Sequence, residues 1–215
     1  MTVTAIQTRY AGHHFRSRLE ARWAVFFDHV GIRWQYEPQG FELSARLSFG
    51  DTTYRYLPDF WLPDHQLWAE VKGQFDDQEL LKTLNCLAAL SCNEGAGRHD
   101  SGGHDAIVLG PIPNDGHRVP AGLCMNKGLL MAGPWTGQSG CLHDNGAADL
   151  VIAGDFGGDL HDVIEGARGC RVEEVRDTLT NGYRTAGRPL GWDAALDAAR
   201  TARFEHGATP RSEVT

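Results

Sequence analysis

Two carboxylates and a lysine stand close together around residues 59 to 72. Asp59 follows Pro58 directly, ten residues separate it from Glu70, and Lys72 comes two residues after Glu70. Carboxylate oxygens are the ligands that Mg²⁺ prefers, and this ion usually takes only one or two carboxylates while keeping several water molecules. A cation held in this way lowers the pKa of a bound water molecule and neutralises charge on a phosphate. Because a nearby lysine could reach that water or the phosphate oxygens, these residues could hydrolyse a phosphodiester.

The triplet Glu70-Val71-Lys72, taken alone, has a simpler explanation. Such triplets are common on edge strands whose charged side chains face water. The segment Leu67–Gly73 is largely apolar, however, and burying unpaired charges in it would cost on the order of several kcal/mol. A bound cation would offset that cost, so the combination with Asp59 favours a metal site over a solvated strand.

The elements that must position these residues are two strands joined by a short turn. The residue pattern predicts one strand over Tyr54–Leu62 and a second over Leu67–Lys72. The linker of residues 63–66 is short, which predicts an antiparallel hairpin. Adjacent strands lie about 4.8 Å apart, so Asp59 and Glu70 would be close enough to share one cation.

Other elements surround this hairpin. Apolar residues recur at helical spacing between Phe15 and Val30 and predict a first helix that ends at Gly31. The remaining predicted elements, in chain order, are strands over Trp34–Glu37 and Gly40–Phe49, a helix capped by Asp76 or Asp77, and a strand over Ala106–Leu109. This order predicts an α/β fold with mixed strand directions.

A proline-preceded aspartate, a Glu-x-Lys triplet and an earlier Glu-bearing helix resemble the PD-(D/E)xK, or restriction-endonuclease-like, nuclease superfamily. The resemblance covers roughly residues 9–112. It implies an α-β-β-β-α-β core with a mixed sheet, contained in a nuclease domain of residues 1–112. The stretches Phe15–Trp23, Tyr36-Glu37-Pro38 and Leu57-Pro58-Asp59-Phe60 look like the subset related to transposon end-cleaving endonucleases and Holliday-junction resolvases, and like phage nucleases of high-GC bacteria.

The resemblance also implies roles for individual residues. Asp59 and Glu70 would bind the metal, Mg²⁺ or Mn²⁺, and Lys72 would assist the attack on the phosphodiester. The backbone carbonyl of Val71 would often join the metal shell. Many members of the superfamily add an acidic residue from the first helix, for which Glu20 is the best-placed candidate.

The charge distribution suggests where DNA would bind. A net charge of -8 argues against a general nucleic-acid coat, because phosphate binding depends on Lys and Arg. Positive charge is nevertheless concentrated in residues 1–33 and 184–211, and an enzyme that contacts DNA at one groove needs only a local basic surface. The predicted DNA contacts are Arg16, Arg18, Arg22, Gln78 and Lys82. The alternative for all of them is an ordinary solvated helix face.

The rest of the chain has a different character. Residues 113–190 are rich in glycine with short apolar runs, and they are predicted to form a small irregular β-rich subdomain. A terminal helix and a polar tail are predicted for residues 191–215. Zinc binding by Cys124, Cys141, His143 and Cys170 is disfavoured, because structural zinc usually takes two closely spaced pairs of ligands. Inert thiols are the preferred interpretation.

Composition places the chain among ordinary globular proteins, with 41% hydrophobic and 22% charged residues. No segment approaches the roughly 20 apolar residues of a membrane-spanning helix. Five cysteines without a Cys-x-x-Cys pair fit a reducing compartment, so a cytoplasmic location is expected.

The functional prediction is a divalent-metal-dependent deoxyribonuclease, most simply an endonuclease, with DNA as its partner. Two alternatives stay open at this point. One is a catalytically silent DNA-binding or assembly module on the same fold, and the other is a nuclease directed at RNA.

Overall fold

A computed structural model of the chain describes residues 6–47, 50–92, 106–126, 129–137, 150–152 and 171–204. These residues contain four helices, which are α1 (Arg18–Val30), α2 (Asp77–Cys92), α3 (Val172–Asn181) and α4 (Trp192–Thr201). Their strands are β1 (Thr8–Tyr10), β2 (His13–Phe15), β3 (Gln35–Tyr36), β4 (Phe41–Leu47), β5 (Gly50–Tyr56), β6 (Phe60–Leu62), β7 (Leu67–Val71), β8 (Ala106–Leu109), β9 (Arg118–Val119), β10 (Ala121–Asn126), β11 (Leu129–Pro134), β12 (Leu150–Ile152) and β13 (Tyr183–Arg184).

The main sheet has seven strands in the order β12-β11-β10-β8-β7-β6-β3. β7 and β8 run parallel and the other neighbouring pairs are antiparallel, which confirms the predicted mixed α/β class. All five residues of the central strand β7 are buried, because helices cover both faces of the sheet. The α2 and α3 side chains pack in one apolar cluster, and those of α1 and α4 pack in the other.

Helix α1 begins later than the sequence predicts. Its N-cap is Ser17, whose hydroxyl accepts a hydrogen bond from the Glu20 backbone N–H, and Phe15 lies in strand β2 instead. The prediction that the helix includes Phe15 is therefore wrong, although this residue is buried in the same core. The predicted end is confirmed, since Gly31 caps the helix with a left-handed φ of 73°.

Helix α2 connects the parallel strands β7 and β8. The Asp76 carboxylate accepts a hydrogen bond from the Glu79 N–H at 2.8 Å and so caps the start of α2. The sequence predicts Asp76 or Asp77 in this role, and the structure selects Asp76. Leu80, Leu84 and Leu87 are fully buried on one side of α2. This crossover returns the chain to the edge of β7 and places the start of α2 beside the end of that strand.

The single strand predicted over Tyr54–Leu62 is wrong. The structure contains two strands there, because β5 pairs with β4 in a separate two-stranded sheet while β6 belongs to the main sheet. The break falls at Pro58, which has no N–H to donate to a ladder. The predicted antiparallel hairpin is confirmed for β6 and β7, with Trp61 opposite Trp68.

The segment after residue 112 differs from the expected small subdomain. Strand β10 pairs with the edge of β8, β11 pairs with β10, and β12 pairs with β11, so these three strands extend the main sheet. Helix α3, which the sequence does not predict, also lies in this segment of predicted β-rich structure, and its Val172, Val175 and Leu179 pack against the α2 side of the sheet.

The predicted terminal helix is confirmed as α4. Trp192 of α4 contacts the ring of Phe26 in α1, with ring centroids 5.2 Å apart. The polar tail from residue 205 lies outside the described residues. None of the helices in the described part of the chain is both long and apolar enough to cross a membrane.

Candidate active site

A cavity of about 330 Å³ lies where the N-terminal end of α1, the β5–β6 connection, the end of β7 and the first turns of α2 meet. Most of its lining side chains are charged. They comprise four basic side chains and four carboxylates, together with a few neutral residues: Arg16, Glu20, Arg55, Tyr56, Leu57, Asp59, Glu70, Val71, Lys72, Glu79, Lys82 and Thr83.

Asp59 and Glu70 meet because of the register of the β6–β7 hairpin. Phe60 pairs with Ala69, and extending that register by one residue sets Asp59 opposite Glu70. The Asp59 Oδ2 accepts the Val71 N–H at 2.7 Å, and its Oδ1 accepts the Arg16 Nη2–H at 2.7 Å. The Asp59 residue is only 3% exposed, so its carboxylate depends on these two donors rather than on bulk water.

Glu70 is held by a tyrosine and a lysine. Its Oε2 accepts the Tyr56 hydroxyl at 2.7 Å, and its Oε1 lies 3.1 Å from the Lys72 ammonium. The Lys72 Nζ also lies 3.8 Å from the Glu79 carboxylate at the start of α2. As the β7 alternation predicts, Glu70 and Lys72 share one side of the strand end, and both face the cavity.

Glu20 faces the same cavity from the first turn of α1. Its Oε1 accepts the Ser17 hydroxyl at 2.7 Å, and its Oε2 accepts the Tyr36 hydroxyl at 2.6 Å and the Arg16 N–H at 3.1 Å. Glu20 therefore anchors the start of α1 as well as facing the site. These partners leave Glu20 less available to a cation than its position in the sequence suggests.

Burial dominates the protonation of the two central carboxyl groups. Desolvation raises the pKa of Asp59 well above its ordinary value, the negative charges of Glu70 and Glu20 raise it further, and the Val71 N–H and Arg16 only partly oppose this. Desolvation also raises the pKa of Glu70, although Lys72 and Tyr56 act to lower it. Without an additional cation, ionising both of these buried carboxyl groups is therefore less favourable than it would be in water.

The pKa values of Lys72 and Tyr56 are both raised, so both side chains keep their protons. Burial alone would lower the pKa of Lys72, but the Glu70 carboxylate raises it above its ordinary value. Burial and the Glu70 charge raise the pKa of Tyr56 well above the ordinary range. Lys72 thus remains an ammonium and Tyr56 remains a hydrogen-bond donor at neutral pH.

The predicted DNA contacts separate into two groups. Arg16 and Lys82 line the cavity, whereas Arg18, Arg22 and Gln78 are absent from the lining that the described residues form. Arg18 and Arg22 are half-buried on α1, and Gln78 is exposed on α2.

Sequence reasoning missed Arg55, Tyr56 and Tyr36 as site residues. Arg55 and Tyr56 enter the cavity from the end of β5, and Tyr36 reaches Glu20 from β3. Tyr56 lies two residues before Pro58, so its nearness to the proline that precedes Asp59 was the available signal.

The side chains of the cavity that could act as metal ligands suit a hard divalent cation in part. No group of three or more His, Cys, Asp and Glu side chains in the described residues is gathered closely enough to hold a metal ion. Asp59 and Glu70 do supply two adjacent, buried carboxylates, and the Val71 residue between Glu70 and Lys72 lines the same cavity. Two carboxylates are sufficient for an ion such as Mg²⁺, which retains several water ligands. The unfavourable burial of both negative charges is the feature that a cation would relieve.

The disfavoured zinc site is largely outside the described residues. Cys124 is buried in strand β10. Cys141, His143 and Cys170 lie in segments that the structure does not describe, so the expectation of no zinc site stays a prediction.

Comparison of the chain with protein-family models, with curated proteins and with solved structures finds no match. Its functional interpretation consequently depends on its own residues and their geometry.

Proposed function

We propose that this chain is a divalent-metal-dependent deoxyribonuclease with a restriction-endonuclease-like core. The observation that carries the proposal is the convergence of Asp59, Glu70 and Lys72 in one cavity, with both carboxylates buried and the lysine kept protonated. Buried carboxylates with perturbed pKa values in a cleft are typical of functional sites. Lys72 and Arg16 beside them provide the positive charge that a phosphodiester would require.

The order of elements supports the finer fold assignment. Helix α1 precedes β3, β6 and β7, and α2 then leads to β8, which gives the α-β-β-β-α-β order of that core. The β4–β5 hairpin is an addition between the first two core strands and carries Arg55 and Tyr56 to the site. An insertion at this point can supply substrate contacts without disturbing the sheet.

In the proposed mechanism, Asp59, Glu70 and the Val71 carbonyl would hold the cation. When bound, a divalent cation acidifies a water molecule and neutralises phosphate charge. Tyr56 fixes one oxygen of Glu70 and leaves the other beside Lys72. The Lys72 ammonium stabilises the negative charge that develops on the phosphate during attack. Arg16, Arg55 and Lys82 orient the DNA backbone at the mouth of the cavity.

One observation favours the silent DNA-binding module as a second candidate. In this structure every oxygen of Asp59 and Glu70 already has a protein partner, and Arg16 lies directly on Asp59. A site whose carboxylates are balanced by arginine and lysine, without a cation, could bind DNA phosphates and perform no chemistry. DNA binding by the wild type, without cleavage in any assay, would favour this candidate.

The deciding experiment is a cleavage assay on linear, circular, single-stranded and branched DNA with Mg²⁺ or Mn²⁺. A chelator and an RNA substrate serve as controls. We expect metal-dependent cleavage by the wild type, loss of cleavage in Asp59→Asn, and normal cleavage in Glu173→Gln, whose side chain is exposed on α3 away from the cavity. A folded wild type that cuts no form of DNA with either metal contradicts the proposal, and cleavage of RNA alone replaces DNA with RNA as the substrate.

A further inference from the structure

Arg16 occupies an unusual position for a residue whose expected partner is DNA. Its guanidinium is held by two carboxylates, with Nη2 2.7 Å from Asp59 Oδ1 and Nε 2.5 Å from Glu37 Oε1. Its backbone N–H is fixed by Glu20 Oε2 and by the Tyr36 hydroxyl, at 3.1 and 3.0 Å. The side chain nevertheless remains 57% exposed, so it has room to leave Asp59 without disturbing the core.

Glu37 is held against Arg16 by an unusual backbone conformation. Its φ is 44°, in the left-handed region that residues other than glycine rarely adopt, and it directly precedes Pro38. The Glu37 N–H donates to the Asp59 carbonyl at 2.9 Å. A backbone outlier of this kind, placed at a site, is a reason to look for function there. Here it fixes a second carboxylate for the Arg16 guanidinium.

The charge of the cavity shows what the Arg16 contact achieves. Four basic side chains and four carboxylates line the cavity, so it is formally neutral without any bound ion. Adding a divalent cation while Arg16 stays on Asp59 would place two positive groups on one carboxylate. Arg16 would then be released from Asp59, and the cavity would carry the excess positive charge that a DNA phosphate neutralises.

We infer that Arg16 is an internal counter-ion that covers Asp59 in the metal-free protein and moves to a substrate phosphate when a divalent cation takes its place. The inference rests on the proposed nuclease function and deepens it. It assigns Arg16 to both the cation step and the phosphate step. Because coupling between two ligands is reciprocal, DNA binding must then strengthen cation binding to the same degree.

The test is the affinity of the full-length protein for Mn²⁺, measured by titration calorimetry in the absence of DNA. Arg16→Gln removes the competing guanidinium, so Mn²⁺ should bind about tenfold more tightly, within the usual range for coupled sites. Arg55→Gln is the matched control, because it removes the same charge from the same cavity but not from Asp59. We expect the affinity of Arg55→Gln to change much less than that of Arg16→Gln.

Coupling to DNA provides a second readout. In a Lys72→Met background, which prevents turnover, Mn²⁺ should increase the affinity for a short DNA duplex, and the added change Arg16→Gln should remove most of that increase. Arg16→Lys keeps the charge but replaces the guanidinium, which contacts Glu37 through Nε and Asp59 through Nη2, with a single ammonium. It should show a smaller rise in Mn²⁺ affinity than Arg16→Gln. If Arg16→Gln does not fold, the Mn²⁺ affinity of Arg16→Lys is the test instead: a rise supports the counter-ion role, and no rise overturns it.

The outcomes separate this inference from the proposed function. Unchanged or weaker Mn²⁺ binding by Arg16→Gln, in a protein whose wild type cleaves DNA, overturns the counter-ion role and leaves the nuclease proposal standing. Equal gains in Mn²⁺ affinity in Arg16→Gln and Arg55→Gln also overturn it, since the loss of one positive charge that repels the cation would explain both gains. Absence of Mn²⁺ binding in both the wild type and Arg16→Gln overturns the inference and the metal-dependent function together.

Discussion

The two ends of strand β6 each carry an aspartate paired with an arginine, yet the two aspartates behave in opposite ways. Asp59, just before the strand, is paired with Arg16, and Asp64, just after it, is paired with Arg33. The pKa of Asp64 is lowered, chiefly by its hydrogen bonds from Arg33, whereas desolvation raises the pKa of Asp59 despite Arg16. An arginine partner alone therefore does not determine the protonation of an aspartate.

The environments of the two pairs explain the difference. The Asp64 side chain is 39% exposed, and Arg33 donates from Nε to both of its carboxylate oxygens at 2.9 Å. Asp59 is 3% exposed and lies near two other buried carboxylates, Glu70 and Glu20. Burial and like charge together outweigh the attraction of Arg16. The same residue pair is thus a surface contact at one end of the strand and part of a candidate active site at the other.

The largest expected difference between the two aspartates is in catalysis. Asp59→Asn should reduce DNA cleavage by about 10²–10³-fold or more, the usual effect of removing one group that stabilises transition-state charge. Asp64→Asn should leave cleavage unchanged because its side chain is outside the cavity. Single-turnover cleavage rates of the two variants provide the comparison. Equal cleavage rates in the two variants would show that Asp59 and Asp64 do not differ in their contribution to catalysis.

Metal stabilisation should separate the two aspartates next. A cation at a concentration one hundred times its Kd adds about 2.7 kcal/mol to the unfolding free energy, which corresponds to a rise in Tm of about 5–10 °C for a chain of this size. We expect this rise in the wild type and in Asp64→Asn, and its loss in Asp59→Asn. Thermal melts with and without Mg²⁺ or Mn²⁺ measure it. Full retention of the rise in Asp59→Asn would place the cation elsewhere.

The metal-free protein should show a pH dependence of opposite sign at the two ends. The folded-state pKa of Asp59 lies above the ordinary 3.8, so its contribution to stability is present at low pH and is lost as pH rises through the folded-state pKa. The folded-state pKa of Asp64 lies below 3.8, so its contribution is present above that value and is lost as pH falls through the folded-state pKa.

Urea unfolding of the metal-free protein across pH tests this difference. Asp59→Asn should be more stable than the wild type at neutral pH and should show a shallower decline in unfolding free energy as pH rises. Asp64→Asn should differ from the wild type mainly at acidic pH. An identical decline in the wild type and Asp59→Asn would show that the Asp59 carboxyl does not control it.

The smallest effect should come from breaking the exposed pair. The Arg33 side chain is 73% exposed, and surface ion pairs of this kind contribute little because water screens them. Arg33→Gln should leave both Tm and cleavage unchanged within error. Calorimetric melting of this variant beside Arg16→Gln is the check. A clear loss of stability in Arg33→Gln would mean that this end of β6 depends on its ion pair.

Local sequence pattern predicted the parts of the molecule that are set by near neighbours. The end of α1 at Gly31, the Asp76 cap of α2 and the β6–β7 hairpin depend on residues a few positions apart. The hairpin brings Asp59 beside Glu70, so the meeting of these two carboxylates could be predicted from spacing alone. Strand alternation likewise predicted that Lys72 shares the side of Glu70.

Tertiary structure alone decided the features that join distant segments. The recruitment of Arg16, Tyr36 and Arg55 to the site joins residues from the segment just before α1, from β3 and from β5, and no local period records such contacts. The pairing of β10 with β8 is a contact of the same long-range kind.

The opposite pKa shifts of Asp59 and Asp64 also belong to the tertiary structure. The sequence places Asp59 inside a predicted strand, as a candidate metal ligand, and Asp64 in the predicted turn after that strand, but neither pattern gives the direction of the pKa shift. Their difference arises from desolvation and from carboxylates supplied by other elements, which depend on how the chain packs. Sequence therefore specified which residues could form the site, and packing determined their charge, because the electrostatic cost of burial exists only in the folded chain.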